Sequence, residues 1–214
     1  SVAVIPTQPP VSTAVPSSIA NMQAGQWMEL PNTKIRSVLP STPQQGSPLN
    51  IIDAWSGGTV DTTRSRLLGW GGGHNDYWGN EMYALDLPTL SIKRIVEPSS
   101  QTSSSNCVPA LPDGTPVSRH TYDGLAYMTH ADSFFAVSGS MSPCGFAAGD
   151  TWVYNFAQNK WQQKVSAPSA ASYGTLAVYD SSTKKVFVKE PGYNFFSYSL
   201  ESNTYNKLNT SDQY

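Results

Sequence analysis

Two short stretches of this sequence combine side chains that could bind or transform a polar ligand. Residues 71–80 read Gly-Gly-Gly-His-Asn-Asp-Tyr-Trp-Gly-Asn, so His74 lies two positions from the carboxylate of Asp76. In residues 116–125, Arg119 and His120 are followed closely by Tyr122. Histidine exchanges protons near neutral pH, and arginine binds carboxylates through two parallel hydrogen bonds. These residues predict acid–base chemistry or recognition of a polar ligand.

Each stretch also has a purely structural interpretation. In the first, Asn75 and Asp76 can cap a tight turn through their own backbone, and the adjacent aromatic rings can pack inward. In the second, Arg119 can pair with an internal carboxylate while His120 donates to a backbone carbonyl. In the functional alternative, exposed aromatic rings of this loop stack on sugar rings. Four loop residues would then bind the ligand: Asn75, Asp76, Tyr77 and Trp78. The sequence leaves both alternatives open.

The elements that would position these residues are short strands. Helical periodicity is absent, and short apolar runs rich in β-branched and aromatic residues alternate with Gly, Pro, Asn and Ser, which predicts an all-β fold. Three segments share the same pattern: alternating apolar residues, a four-residue turn, and an aromatic or β-branched residue that opens the next strand. They are residues 83–92, 152–161 and 196–205. Their spacing suits repeats of about 40–50 residues, with an insertion between the first two.

The pattern of strand, di-glycine, strand, turn and strand around residues 67–92 resembles the kelch repeat of β-propellers, including galactose-oxidase-like ones. The resemblance implies four-stranded blades at about 50–96, 121–166 and 173–208 within a domain of residues 25–214. Residues 1–24 are predicted to form an extended linker, and residues 26–31 a possible ring-closing strand.

Three blades are fewer than the four to eight or so of closed propellers. We therefore expect a partial kelch-like propeller that is completed by further blades of a longer polypeptide or by self-association.

Propeller geometry would gather the connecting loops 71–80, 97–120, 138–149 and 189–194 on one face. Tyr193 joins the candidate ligand-binding residues there. Cys107 and Cys144 lie in two of these loops, both rich in Pro, Gly or Ser, so a disulfide between them is expected. A disulfide fits an oxidising compartment and predicts a secreted, extracellular or periplasmic protein.

Charge and hydropathy exclude some classes of partner. Charged residues make up 13% of the chain and the net charge is −2, which gives no reason to expect nucleic acid or an anionic membrane surface. No apolar run approaches the ~20 residues that a membrane-spanning helix needs.

The combination of Arg119, His120 and Tyr122 looks like that of ulvan lyases, secreted propellers that cleave uronate-containing polysaccharides by β-elimination. The resemblance implies that His74 or His120 acts as the base or neutralises the carboxylate, that Tyr122 is the acid and that Arg119 binds the carboxylate. A galactose-oxidase-type copper site needs two Tyr, two His and a Tyr–Cys crosslink. Since the chain has three His and two Cys that are expected to pair, neither a metal nor another cofactor is predicted.

Three functions therefore remain open. The chain is a secreted module that binds a glycan or protein through its loop face, a polysaccharide lyase acting on an acidic glycan, or a structural subunit that self-assembles.

Overall fold

The computed structural model of this chain describes residues 16–73, 76–100, 107–168, 173–192 and 194–208. Over these ranges the fold is almost entirely β, with three four-stranded antiparallel sheets and one two-stranded sheet. The predicted all-β class with three four-stranded blades is confirmed.

Each four-stranded sheet follows the chain in simple up-and-down order, and each lies inside one of the three predicted blade ranges. The first sheet contains β1 (Gly58–Asp61), β2 (Arg66–Trp70), β3 (Met82–Asp86) and β4 (Ser91–Val96). The second contains β6 (Leu125–Met128), β7 (Ser133–Val137), β9 (Thr151–Asn155) and β10 (Lys160–Lys164). The third contains β11 (Leu176–Asp180), β12 (Lys185–Lys189), β13 (Phe195–Ser199) and β14 (Thr204–Lys207). Between the first two sheets, β5 (Arg119–His120) pairs with β8 (Ser140–Met141).

Polar turns join the first two strands of the first and third sheets. The Asp61 carboxylate accepts the backbone N–H groups of Thr63 and Arg64 at 3.0 and 3.1 Å. Asp180 accepts the backbone N–H of Ser182 at 3.1 Å in the equivalent turn. An aspartate that bonds the backbone two or three residues onward fixes a tight turn, so these hairpins follow from local sequence.

The sheets stack as neighbouring blades because apolar side chains on their facing surfaces pack together. One buried cluster joins the first and second sheets, and it includes Trp70, Phe134 and Trp161. Trp70 lies 6.3 Å from Phe134 and 5.2 Å from Trp161 between ring centroids. A second cluster, which includes Phe135 and Tyr198, joins the second and third sheets. The innermost strands β1, β6 and β11 line a concave surface of about 530 Å³, where a propeller has its channel.

The other face of the first sheet is covered by the chain itself. Short helices precede the first sheet: α1 (Ser17–Ala20), a 3₁₀ helix (Ile35–Val38) and α2 (Asn50–Asp53). The 3₁₀ helix and α2 place Ile35 and Ile51 against this sheet. There they form a buried cluster with Tyr77 and Tyr83. We call residues 32–54 the cap. The cap therefore covers part of one end face of the three-blade arc.

In the N-terminal region, residues 1–15 of the predicted linker lie outside the described residues. The stretch predicted as an extended linker contains one helical turn, α1, because Ile19 and Ala20 both donate backbone N–H groups to Pro16 O at 2.9 Å. Residues 26–31 form no strand, and Trp27 is 98% exposed. The chain first pairs at Asn32, whose carbonyl accepts the backbone N–H of Ile92 at 3.1 Å.

The far face of the third sheet is open. Val186 and Val188 pack against the second sheet, so the alternation of β12 turns Phe187 outward. Phe187 lies 6.0 Å from Phe195 between ring centroids on this half-buried far face. No helix in the described ranges is long and apolar enough to cross a membrane.

Candidate functional site

Backbone contacts join three of the predicted loops into one face. Gly72 N–H donates to Arg119 O at 3.1 Å, and Ser142 N–H donates to Ser118 O at 2.8 Å. Cys107 and Cys144 form a disulfide with their Cα atoms 5.6 Å apart, which ties the long connection after the first sheet to a loop of the second. The loop face is therefore a continuous, covalently fastened surface.

Asp76 and His120 meet on this face although 44 positions separate them. Asp76 Oδ2 lies 2.8 Å from His120 Nε2. The His120 side chain is 3% exposed and that of Asp76 is 37% exposed. A carboxylate bonded to one imidazole nitrogen fixes the orientation of the ring. The pair could therefore position a proton at the edge of the loop face.

Gly73 explains why the first loop is rich in glycine. Its φ is +88°, a left-handed conformation that glycine adopts without strain. A Cβ atom at this position would lie 2.0 Å from His120 Nε2 and 2.6 Å from Asp76 Oδ2. The residue is thus required for the Asp76–His120 pair and not only for the turn.

Tyr122 continues the row that starts with Asp76 and His120. Its ring lies edge-to-face to the His120 ring, with centroids 5.9 Å apart. Burial raises the pKa of the Tyr122 phenol, and the nearby Tyr173 raises it further. Three of the predicted residues are therefore brought together.

Arg119 does not play its predicted role. Its side chain is 2% exposed and pairs with Asp150 at 2.8 Å, while its Nη1 also lies 3.3 Å from Ser138 O. The guanidinium carbon is 5.9 Å from the centre of the Trp70 ring. The prediction of Arg119 as a carboxylate-binding residue for a ligand is corrected, because the group already neutralises a buried internal carboxylate.

Tyr77 and Trp78 also differ from the ligand-binding prediction. Tyr77 is 0% exposed, and its hydroxyl donates to Glu81 Oε1 at 2.7 Å beneath the cap. Burial raises the pKa of the Glu81 carboxyl, which the hydrogen bond from Tyr77 opposes. Trp78 is partly buried, and its backbone N–H donates to Gln45 O at 2.9 Å. Tyr77 belongs to the core and Trp78 anchors the loop to the cap. The predicted residues His74, Asn75 and Tyr193 lie outside the described residues.

An exposed aromatic depression, which the sequence interpretation missed, opens beside Tyr122. It measures about 310 Å³ and is lined by Trp55, Ser56, Gly57, Tyr122, Asp123, Gly174 and Leu176. Trp55 is 72% exposed, and its carbonyl accepts the backbone N–H of Tyr122 at 2.9 Å. We call this feature the aromatic depression.

A positional signal in the sequence could have revealed it. Trp55, Tyr122 and Tyr173 each lie three residues before the innermost strand of a sheet, since those strands begin at positions 58, 125 and 176. Trp55 and Tyr122 also share a left-handed backbone with φ of 48°. Tyr173, beside Gly174, is 50% exposed. The equivalent positions of the three blades therefore all carry aromatic residues.

The described residues do not assemble a copper centre of the galactose-oxidase type. His120 lies on the loop face, whereas His130 lies in a turn on the opposite face, 2.9 Å from Tyr179 OH. Nowhere in the described ranges do three or more His, Cys, Asp or Glu side chains come together in a way that could hold a metal ion.

Comparison with known proteins gives weak structural likeness and no match in sequence. No protein-family model matches the chain, and no curated protein matches it. A solved structure described as a novel fungal alcohol oxidase with catalytic diversity among the AA5 family, in complex with copper, is similar at 16% sequence identity and a TM-score of 0.43. The likeness covers 78% of this chain, which spans 31% of the length of that protein. Similarity of this order assigns no activity.

Proposed function

We propose that this chain is a propeller module of an extracellular or periplasmic protein that binds a glycan through its loop face. The observation that carries the proposal is the exposed Trp55 indole beside Tyr122 in the aromatic depression. Flat aromatic rings at the floor or wall of an open depression bind the apolar faces of sugar rings, and neighbouring polar groups fix their orientation.

Backbone strain at the same residues supports the proposal. Bulky side chains rarely adopt positive φ, yet Trp55 and Tyr122 both have a φ of 48°. Such conformations cost free energy and persist where the surrounding structure enforces them, often at ligand sites. Gly57 allows this packing, because a Cβ atom there would lie 1.9 Å from Tyr122 O.

Binding to a panel of soluble oligosaccharides, followed by titration calorimetry, tests the proposal. We expect Trp55→Ala to weaken binding about tenfold or more, because loss of a central aromatic contact costs about 1.4 kcal/mol or more. Trp27→Ala is the matched control, since Trp27 is 98% exposed and lies outside the depression. Equal affinity of the Trp55→Ala variant and the unmodified chain would refute the proposal.

The lyase alternative has one observation in its favour and one against it. The Asp76–His120 pair next to Tyr122 could supply the acid and base of an elimination. The buried ion pair of Arg119 with Asp150 removes the residue that was expected to bind the uronate carboxylate. Incubation with a uronate polysaccharide, monitored for unsaturated products in the ultraviolet, separates the two functions. We expect no such products from a binding module.

A further inference from the structure

We infer that the aromatic depression selects sugars that carry an ammonium group, an inference that rests on the proposed glycan-binding function. The starting observation is Asp123, which lines the depression next to Tyr122. Its side chain is exposed and forms no ion pair or hydrogen bond with any described residue. Asp123 is held in place through its backbone, since its carbonyl accepts the N–H of Ala177 at 2.8 Å.

The local charge is negative. No Lys or Arg is among the residues that line the depression. The partly exposed Asp76 carboxylate lies beyond His120, and the Arg119 guanidinium is already paired with Asp150. A uronate would therefore meet the Asp123 carboxylate and no Lys or Arg of the depression, whereas an ammonium group would meet an opposite charge.

The aromatic rings favour the same ligand. An ammonium group near the face of Trp or Tyr is attracted by the ring quadrupole, and aromatic surfaces with a nearby carboxylate are a common way to bind organic cations. An amino sugar could stack its ring on Trp55 while its ammonium group reaches Asp123 at the rim of the depression. Both interactions require residues that line one cavity of about 310 Å³.

The test compares oligomers of glucosamine with the same oligomers of N-acetylglucosamine, at a pH below the pKa of the sugar amine. We expect the glucosamine oligomer to bind roughly fivefold to thirtyfold more tightly, from one partly exposed ion pair and one cation–π contact. Asp123→Asn should remove most of this preference. Glu29→Gln is the control for charge, since Glu29 is exposed and does not line the depression.

Each outcome is decisive. A preference for the glucosamine oligomer that Asp123→Asn abolishes and Glu29→Gln preserves supports the inference. Equal binding of the two oligomers that is lost in Trp55→Ala overturns the inference and leaves the glycan-binding function standing. If neither these oligomers nor the wider panel binds, the proposed function fails as well. Thermal unfolding of Asp123→Asn verifies that the variant is folded.

Discussion

At the scale of single residues, the most unusual group is a buried carboxylate without partners. Glu190 is 2% exposed. It lies in the third repeat, where residues 189–192 read Lys-Glu-Pro-Gly in place of the di-glycine of the first repeat. Neither carboxylate oxygen has a hydrogen-bond partner among the residues that the structure describes. Burial raises the pKa of Glu190 to about 7, although Lys189 opposes the shift. An ionised carboxylate in such a place is costly, so the folded protein favours the neutral acid.

Glu190 therefore makes stability depend on pH. The folded-state pKa lies above the ordinary value, so its contribution is fully present below about pH 4.5 and is lost as pH rises toward about 7. Glu190→Gln should unfold at a similar denaturant concentration near pH 4.5 and should be more stable by about 1–3 kcal/mol near pH 8. Glu201→Gln, an exposed carboxyl of the same sheet, is the control. An unchanged pH dependence in Glu190→Gln would contradict this account.

Residue roles were only partly predictable from the sequence. His120, Tyr122 and Asp76 could be assigned to one face because loop positions follow from strand order. The partner of Arg119 could not, because Asp150 lies 31 positions away in another loop and nothing local pairs the two. For Tyr77 the sequence left open whether the ring packs inward or binds a ligand, because the cap that buries it has no repeating pattern.

At the scale of elements, the loop between β2 and β3 requires a residue without a Cβ atom at position 73. Gly73→Ala would place a methyl group against the imidazole of His120, in addition to the strain of a positive φ. Gly192 is a matched control, because its φ is +76° but a Cβ atom there has no neighbour within 4 Å.

We expect Gly73→Ala to destabilise the protein by about 1–3 kcal/mol more than Gly192→Ala does, since a clash is added to the backbone strain. Chemical denaturation measures the difference. The imidazole nitrogen resonances of His120 should also change in Gly73→Ala as its contact with Asp76 breaks, and should stay in place in Gly192→Ala. Equal destabilisation by the two substitutions would mean that the Asp76–His120 pair adapts to the methyl group.

The strands themselves were readable from sequence because each is a short run rich in apolar, β-branched or aromatic residues between polar turns. In β12, Val186 and Val188 are buried while Phe187 between them is not. The cap was not readable, since Ile35 and Ile51 are isolated apolar residues in a segment with neither the period of a strand nor that of a long helix. Trp55 was overlooked for the same reason, as it follows the cap directly.

At the scale of the whole molecule, the two ends of the arc are unequal. The first sheet packs against the cap, whereas Phe187 and Phe195 face outward from the third sheet. Apolar surface that faces outward is a common contact site for proteins, which makes this face a candidate for one.

We expect the 214-residue chain to self-associate in a concentration-dependent way in sedimentation, because contact between far faces removes Phe187 from water. Phe187→Lys should shift the chain toward monomer. Val165→Lys, at a 41% exposed position beside the second sheet, should not. A chain that stays monomeric at every concentration would show that this face needs no partner, and the self-assembling function would then be wrong.

The cap also affects the order in which the sheets can fold. The buried cluster that closes the first sheet draws all its residues from positions 35–92, a continuous stretch of chain. During synthesis this unit can bury its apolar surface as soon as β4 has left the ribosome, and each later sheet can then add to a finished neighbour. A propeller whose first blade is stabilised only by contact with its last blade cannot fold in this N-to-C-terminal order. We therefore expect the cap to shorten the time during which newly made strands are exposed to aggregation.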